Sequence, residues 1–297
     1  MVMKQPIRLG LFAVALLLAG AQVQAQTAYT TTGGALFSFD LATPGTMTSI
    51  GSFSGATSSI DGLDFRPADG RLYGYVAGGN QVVVIDVATA ATTFVANPST
   101  ASSTSFLGID FNPVPNLLRL VNTLDQNLRI NPAGGATTVD GTLDYAAGDP
   151  NDLANPSVID AAYTNSDNDP ATGTTLYYID SDLDILATTA NPNAGQLNTV
   201  GALGVDTGPN IGFDIITPSL GNNLAYAILD PGAMDLYSIN LGTGAATFIG
   251  ALDSTTNVLD GRNVFGLAIT PVPEPGSLAL LAAGMVGAIA LRRRRIG

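Results

Sequence analysis

Apolar and polar residues alternate in short stretches along residues 26 to 270, and turns rich in glycine, threonine and asparagine separate these stretches. Alternation with a period of two predicts β-strands with one buried face. One strand motif recurs with variations at intervals of 46 to 54 residues. Its copies are GLDFRP at Gly62, GIDFNP at Gly108, VIDAAYTN at Val158, GFDIITP at Gly212 and GLAITP at Gly266.

More strand-like stretches follow each of the first four copies. The second stretch is RLYGYV, LLRLV, TLYYID or NLAYAI in turn. Later stretches such as LYSINLGTGAATFIG place a short turn between two apolar segments, which is a hairpin signal. Each unit therefore has about four strands in roughly 50 residues, the size of one propeller blade.

The two ends of the domain complement each other. The fifth copy has only its first strand at the C-terminal end, Val264 to Ile269, and the missing strands are AYTTT, LFSFDL and MTSIG near the N-terminus. The pattern predicts an all-β fold, a five-bladed β-propeller closed by a composite blade from both termini. A pair of β-sandwiches or an open solenoid is the alternative, although a solenoid does not need complementary ends.

The composition of residues 26–270 agrees with an all-β fold. This region contains five arginines and 23 aspartates, no lysine, glutamate, histidine or cysteine, and a net charge of −18. Aspartate favours turns over helices. Such an acidic surface repels nucleic acid and anionic lipid, so neither is an expected partner. Without cysteine the domain has no disulfides, and about 245 residues can bury a sufficient core without them.

The repeated motif places an aspartate at a strand centre in four of its five copies. These residues are Asp64, Asp110, Asp160 and Asp214, and the fifth position is Ala268. A buried carboxylate needs hydrogen-bond donors or water. We expect these side chains to accept backbone N–H bonds and to lock each blade to the next. The alternatives are an acidic Ca²⁺ site in the channel and general acid–base chemistry.

Two other acidic segments are weaker metal candidates. NSDNDPATG places Asp167 and Asp169 at alternate positions, but it lacks the glycine spacing and distal glutamate of a calcium loop. DSDLD places Asp180 and Asp182 on one side of an extended segment. A solvated loop is the simpler interpretation of both.

The first 25 residues have the pattern of a secretory signal peptide. A positive segment with Lys4 and Arg8 precedes an apolar core and a small-residue cleavage site ending at Ala25. We therefore expect the mature chain to begin at Gln26. The apolar run is too short for a membrane anchor of about 20 residues.

Residues 271–297 contain a proline-rich motif, an apolar run and an arginine cluster. The arginines would remain in the cytoplasm and orient a short transmembrane helix. This arrangement resembles the PEP-CTERM sorting signal of Gram-negative bacteria, whose processing enzyme is an exosortase. The residues that match are Val272, Pro273, Glu274, Pro275, Arg292, Arg293, Arg294 and Arg295. The resemblance implies export, transient contact with the inner membrane, and cell-surface or extracellular localisation after C-terminal processing.

The repeats also resemble a bacterial family of secreted, propeller-like domains of unknown function. The stretches that carry the resemblance are AYTNS, TTLYYID, GFDI and LYSINLGTG, and the likeness covers most of residues 34 to 270. The family brings no activity and no catalytic residue.

The expected export to the cell surface and the composition together favour a non-enzymatic surface or matrix protein. Its expected partners are the exosortase, the export machinery and extracellular polysaccharide, in an exopolysaccharide matrix or biofilm, without a cofactor. One alternative is a calcium-dependent adhesin. The other is a polysaccharide hydrolase or lyase, although the region lacks the His, Cys and Glu that often perform such chemistry.

Overall fold

The computed structural model describes residues 26–167, 171–219 and 221–271. The predicted signal peptide, the sorting signal and its expected membrane helix lie outside these residues, and the two predicted domain boundaries stay predictions. Within the described residues, no helix has the length and apolar character needed to cross a membrane. The only helical turn described there is a short 3₁₀ segment, Pro192–Ala194.

Five sheets of four or five strands, almost entirely antiparallel, form five blades. The N-terminal strands are β1 (Thr27–Thr31), β2 (Ala35–Asp40) and β3 (Met47–Ser52). Blade 1 has strands β4 (Ser54–Gly55), β5 (Gly62–Arg66), β6 (Arg71–Val76), β7 (Gln81–Ile85) and β8 (Ala91–Ala96). Blade 2 has strands β9 (Leu107–Asn112), β10 (Leu117–Asn122), β11 (Asn127–Ile130) and β12 (Thr137–Val139).

The second half of the chain repeats this arrangement. Blade 3 has strands β13 (Asp144–Tyr145), β14 (Val158–Tyr163), β15 (Leu176–Asp180), β16 (Ile185–Thr189) and β17 (Gln196–Ala202). Blade 4 has strands β18 (Gly212–Ser219), β19 (Asn222–Leu229), β20 (Asp235–Ile239) and β21 (Ala246–Ala251). The last strand is β22 (Phe265–Ile269). In blades 1 to 4 the four main strands pair in chain order, while β4 and β13 add short parallel pairs to β8 and β17.

Blade 5 is built from both ends of the chain. Its strand order is β22-β1-β2-β3, with Ala28 opposite Ile269 and Tyr29 opposite Ala268. The side chain of Gln26, the expected first mature residue, donates hydrogen bonds to the carbonyl and hydroxyl oxygens of Thr270. The predicted five-bladed propeller is therefore confirmed. In its composite blade the innermost strand, β22, comes from the C-terminal end of the domain and pairs with β1 from the N-terminal end.

The apolar core is divided into five clusters, and each cluster lies between neighbouring blades. Between blades 1 and 2, for example, Tyr73 packs edge-to-face on Phe111 with ring centroids 5.1 Å apart. Alternating apolar residues of adjacent sheets thus bury one another, as the period of two predicts.

Polar residues at the outer hairpins explain part of the aspartate content. Asp40, Asp86, Asn131 and Asn240 each accept a hydrogen bond from the backbone N–H two residues later. These hydrogen bonds stabilise the turns that connect the last two strands of a blade.

Candidate functional site

The repeated aspartates connect the innermost strands of successive blades. Each is buried and accepts a hydrogen bond from a backbone N–H in the next blade. The donors are Phe111 N to Asp64 at 2.7 Å, Tyr163 N to Asp110 at 3.2 Å, Phe213 N to Asp160 at 2.9 Å and Ile269 N to Asp214 at 2.6 Å. Four of the five junctions therefore share one charge-assisted contact. The fifth junction, from blade 5 to blade 1, has Ala268 at the equivalent position.

Asp160 lies at a different level from the other three. In blade 2 the donor residue, Phe111, directly follows the aspartate of its own strand, Asp110. In blade 3 the equivalent donor, Tyr163, stands three residues after Asp160. An irregular register between Val158 and Asp160 accompanies this shift. Gly108 provides the space that Asp160 occupies, because a Cβ there would lie 1.9 Å from Asp160 Oδ1. The displacement is two residues, so the side chain remains on the same strand face.

The remaining three residues, here called the axial aspartates, form one cluster. Oxygen atoms of Asp64, Asp110 and Asp214 all lie within 4.8 Å of one another. Burial raises the pKa of Asp64 and Asp110 well above the usual value, and the neighbouring carboxylates raise them further. Burial also raises the pKa of Asp214, to about 7, against the opposing effect of backbone hydrogen bonds. Three such carboxyls must share protons or a cation at neutral pH.

The space beside the axial aspartates is small. Asp64, Asp110 and Asp214 line a cavity of about 10 Å³, together with Phe65 and Ile269. A volume of about 10–15 Å³ holds one water-sized probe. The cluster can hold protons, one water or one small cation, but it offers no room for a sugar ring.

The other predicted metal ligands do not join this cluster. Asp180 is buried and accepts hydrogen bonds from the Tyr145 hydroxyl at 2.8 Å and from two backbone N–H groups of its own turn. Asp182 lies exposed in that turn between β15 and β16, so DSDLD is not extended as the alternation suggested. Asp167 is described and has interactions of its own, whereas Asp169 lies outside the described residues.

A second charged cluster, which the sequence interpretation missed, lies between blades 2 and 3. Arg119 is 2% exposed and its Nη1 lies 2.6 Å from Asp140 Oδ2. Arg129 forks onto both oxygens of Asp140, at 2.7 and 2.8 Å. The sequence contains one indication of this cluster: LLRLV has an arginine where the other second-strand stretches contain tyrosine.

The processing residues cannot be placed in this geometry. Ala25 and the sorting residues from Val272 to Arg295 lie outside the described residues. Gln26 and Thr270, which flank the described domain, are in contact in blade 5.

Several solved structures are similar to this chain at low sequence identity. One, from a nidogen/laminin complex, is 12% identical with a TM-score of 0.46 and covers 82% of this chain and 98% of its own. A Bacteroides thetaiotaomicron protein of unknown function is 14% identical with a TM-score of 0.48, covering 84% and 68%. An auxiliary nutrient binding protein from the same organism is 18% identical with a TM-score of 0.38, covering 57% and 41%.

No curated protein matches the chain. Residues 271–295 match the PEP-CTERM protein-sorting motif, which confirms that resemblance and indicates export with processing by an exosortase. Residues 35–262 match the model of a domain of unknown function, and this range contains blades 1 to 4 and strands β2 and β3 of blade 5. The chain therefore belongs to the family described as Domain of unknown function DUF4394.

Proposed function

We propose that this protein is a non-enzymatic binding or scaffold module that associates with extracellular polysaccharide, in a matrix or biofilm. The sorting motif indicates an exported protein at the cell surface or outside the cell after C-terminal processing. A propeller in that location presents loops at both ends of a rigid core, an arrangement suited to binding.

The size of the axial cavity is the observation that carries the non-enzymatic part of the proposal. Glycoside hydrolysis needs two carboxyls on either side of a sugar, about 5–5.5 Å apart in retaining enzymes. The axial aspartates come near that separation, but the cavity of about 10 Å³ beside them excludes a sugar. Their backbone hydrogen bonds to the next blade also fit a structural role.

Binding and turnover can be measured in the same sample. The full chain would be expressed with its own leader, and the exported, processed protein would be purified and incubated with extracellular polysaccharide extracted from the expressing bacterium. We expect the protein to co-sediment with the polymer without generating new reducing ends or unsaturated sugar products. Turnover would overturn the non-enzymatic assignment, and no association with any polysaccharide fraction would overturn the binding assignment.

A calcium-dependent adhesin is the second candidate, and the three converging carboxyls favour it. Carboxylate oxygens are suitable ligands for Ca²⁺. Thermal unfolding in EDTA and then in millimolar Ca²⁺ tests this candidate, because a ligand of the native state raises the midpoint. A rise that is absent with Mg²⁺ and lost in Asp64→Asn would support a Ca²⁺ site. An unchanged midpoint would leave the axial aspartates as protonated contacts between blades.

A further inference from the structure

Blade 2 departs from the side-chain pattern that the other blades share. In blades 1, 3, 4 and 5 a tyrosine of the second strand lies opposite the same position of the innermost strand, which is Asp64, Ala162, Asp214 and Ala268, respectively. These tyrosines are Tyr73, Tyr177, Tyr226 and Tyr29. In blade 2 the residue in this place is Arg119. The next residue across the sheet is Val84, Thr188, Ser238 and Ser38 in the same four blades. In blade 2 it is Arg129.

These two differences put a buried ionic network where the other blades have a tyrosine, which in blades 1 and 5 packs edge-to-face on a phenylalanine of the next blade. Arg119 donates from Nε to the hydroxyl of Tyr163 at 3.1 Å and from Nη1 to Asn127 and Asp140, both at 2.6 Å. Asp140 neutralises one of the two guanidinium groups, so the network has a net charge of +1. A buried ion network is rarely more stable than an apolar contact of similar size. Stability alone therefore does not account for it.

A cavity of about 240 Å³, here called the arginine pocket, adjoins the network. It lies in the groove between blades 2 and 3 and is lined by both arginines, Tyr163, Asn193 and Pro192, among others. The Nη2 of Arg119 donates to Asn193 at 3.0 Å. Arg129 uses Nε and Nη2 for Asp140, and its Nη1 has no hydrogen-bond partner among the described residues. A guanidinium edge with unused donors suits an oxyanion.

One buried hydroxyl beside this network also lacks a partner. Tyr178 is fully buried, and its hydroxyl makes no hydrogen bond within the described part of the chain. Its electrostatic neighbours are Tyr163, Arg119 and Asp140. An unpaired buried hydroxyl is unusual and costs free energy.

The charge and size of the arginine pocket select the ligand. Five arginines and 23 aspartates give residues 26–270 a strongly negative field, which repels multiply charged anions. The local charge of +1 is matched by one carboxylate. Amide and hydroxyl groups beside apolar Leu117 and Pro192 suit a hydroxylated ring.

We propose that the arginine pocket binds the carboxylate of a single uronic acid residue in an otherwise uncharged polysaccharide. This inference rests on the proposed binding function and names the chemical class of its ligand. Arg129 supplies the free donors, and Arg119, held by Asp140, keeps the pocket positively charged.

Calorimetric titration of the exported full chain with glucuronate, glucose and glucose 6-sulfate tests the inference. We expect one glucuronate per chain, bound at least about tenfold more tightly than glucose because of its charge-assisted hydrogen bonds. Equal affinity for glucose and glucuronate would overturn the site. Tighter binding of the sulfate ester would overturn the assignment to a carboxylate.

Three variants separate binding from folding. Arg129→Gln should weaken glucuronate binding at least about tenfold, whereas Arg129→Lys keeps the charge, loses the fork and should weaken it less. Arg71→Gln is the matched control, because Arg71 is an exposed arginine paired with Asp69 at 3.0 Å on blade 1. Wild-type affinity in Arg129→Gln, with the fold intact by thermal unfolding, would refute the inference.

The polysaccharide measurement distinguishes this failure from that of the proposed function. If the polymer binds the wild type and Arg129→Gln equally, the arginine pocket is not the site, and the proposed function stands. If glucuronate binds but no polysaccharide does, the pocket stands and the proposed function fails.

Discussion

The axial aspartates and the Arg119–Asp140–Arg129 network are two buried charged groups that arise in opposite ways. The axial aspartates repeat from blade to blade, carry like charges and are stabilised by backbone N–H groups of the next blade. The arginine network occurs once, combines opposite charges and replaces a tyrosine that the other blades retain. The repeated aspartates therefore make the contacts that hold neighbouring blades together, whereas the arginines that depart from the repeat line a cavity, the arginine pocket.

The two groups also differ in how they tolerate loss of one member. Removing one axial carboxyl relieves repulsion between the others. Removing one arginine leaves Asp140, which is 4% exposed, with less compensation for its charge. This difference sets the order of the expected effects.

The largest effect is expected for Arg119→Ala. It removes the buried guanidinium and leaves Asn127, Tyr163 and Asp140 without that donor. Breaking a buried ion pair costs about 3–5 kcal/mol of the free energy of unfolding, and we expect the lower end of this range because Arg129 still pairs with Asp140. Denaturant titration measures the loss, and Arg71→Ala, an exposed ion pair, should cost no more than about 1 kcal/mol. Similar losses in both variants would contradict the contrast.

The axial aspartates should make the protein less stable as the pH rises. Their pKa values are raised in the folded state, to about 7 for Asp214 against an ordinary value of 3.8. The native state then binds more protons than the unfolded state, so the contribution of Asp214 is complete below about pH 4 and is lost as the pH rises to about 7. Each extra proton gives a slope of about −1.4 kcal/mol per pH unit.

Denaturant titrations in EDTA between pH 5 and pH 8 measure this slope. Carboxyls whose pKa is lowered in the folded state, such as Asp149 and Asp253, change the stability only below this pH range. A free energy of unfolding that rises with pH in EDTA would contradict the raised pKa values. The triple variant with asparagine at the axial positions is the control. Its slope should be shallower than that of the wild type and should retain only the contributions of the other carboxyls whose pKa burial raises, which are Asp160, Asp61, Asp125 and Asp235.

The displaced position of Asp160 gives a third prediction. Gly108→Ala would place a Cβ 1.9 Å from Asp160 Oδ1 and 2.5 Å from its backbone Cα. Because backbone must move to relieve the second contact, we expect a loss of about 1–3 kcal/mol in the free energy of unfolding. Gly34→Ala is the matched control, since a Cβ there meets no atom within 4 Å. Equal stability of the two variants would contradict the close approach of Asp160 to blade 2.

The repeat alone predicted the blades, because strand periodicity and complementary ends are local features of the sequence. It predicted the aspartate contacts for the same reason: a charged residue at a buried strand centre requires a donor. The two-residue displacement of Asp160 was not predictable from VIDAAYTN. The irregular register lies inside the strand, and no glycine or proline marks it.

The arginine network was visible only in part. Arg119 stands out against the tyrosines of the other blades once the repeats are aligned. The pairing of its charge with Asp140 depends on the path of the chain after β12. Its hydrogen bond to Tyr163 depends on how blades 2 and 3 pack. Long-range contacts of this kind leave no periodic signal.

The smallest effect is expected for substitution of one axial aspartate. In Asp110→Ala the N–H of Tyr163 loses its acceptor, which costs up to about 1–3 kcal/mol, but relief of repulsion with Asp64 and Asp214 offsets part of this cost. Asp110→Asn keeps an oxygen acceptor and removes the charge. At pH 8 in EDTA we therefore expect it to be at least as stable as the wild type, while Asp110→Ala is about 1 kcal/mol less stable. If Asn destabilised as much as Ala, the carboxylate charge itself would be required, and the contrast with the arginine network would disappear.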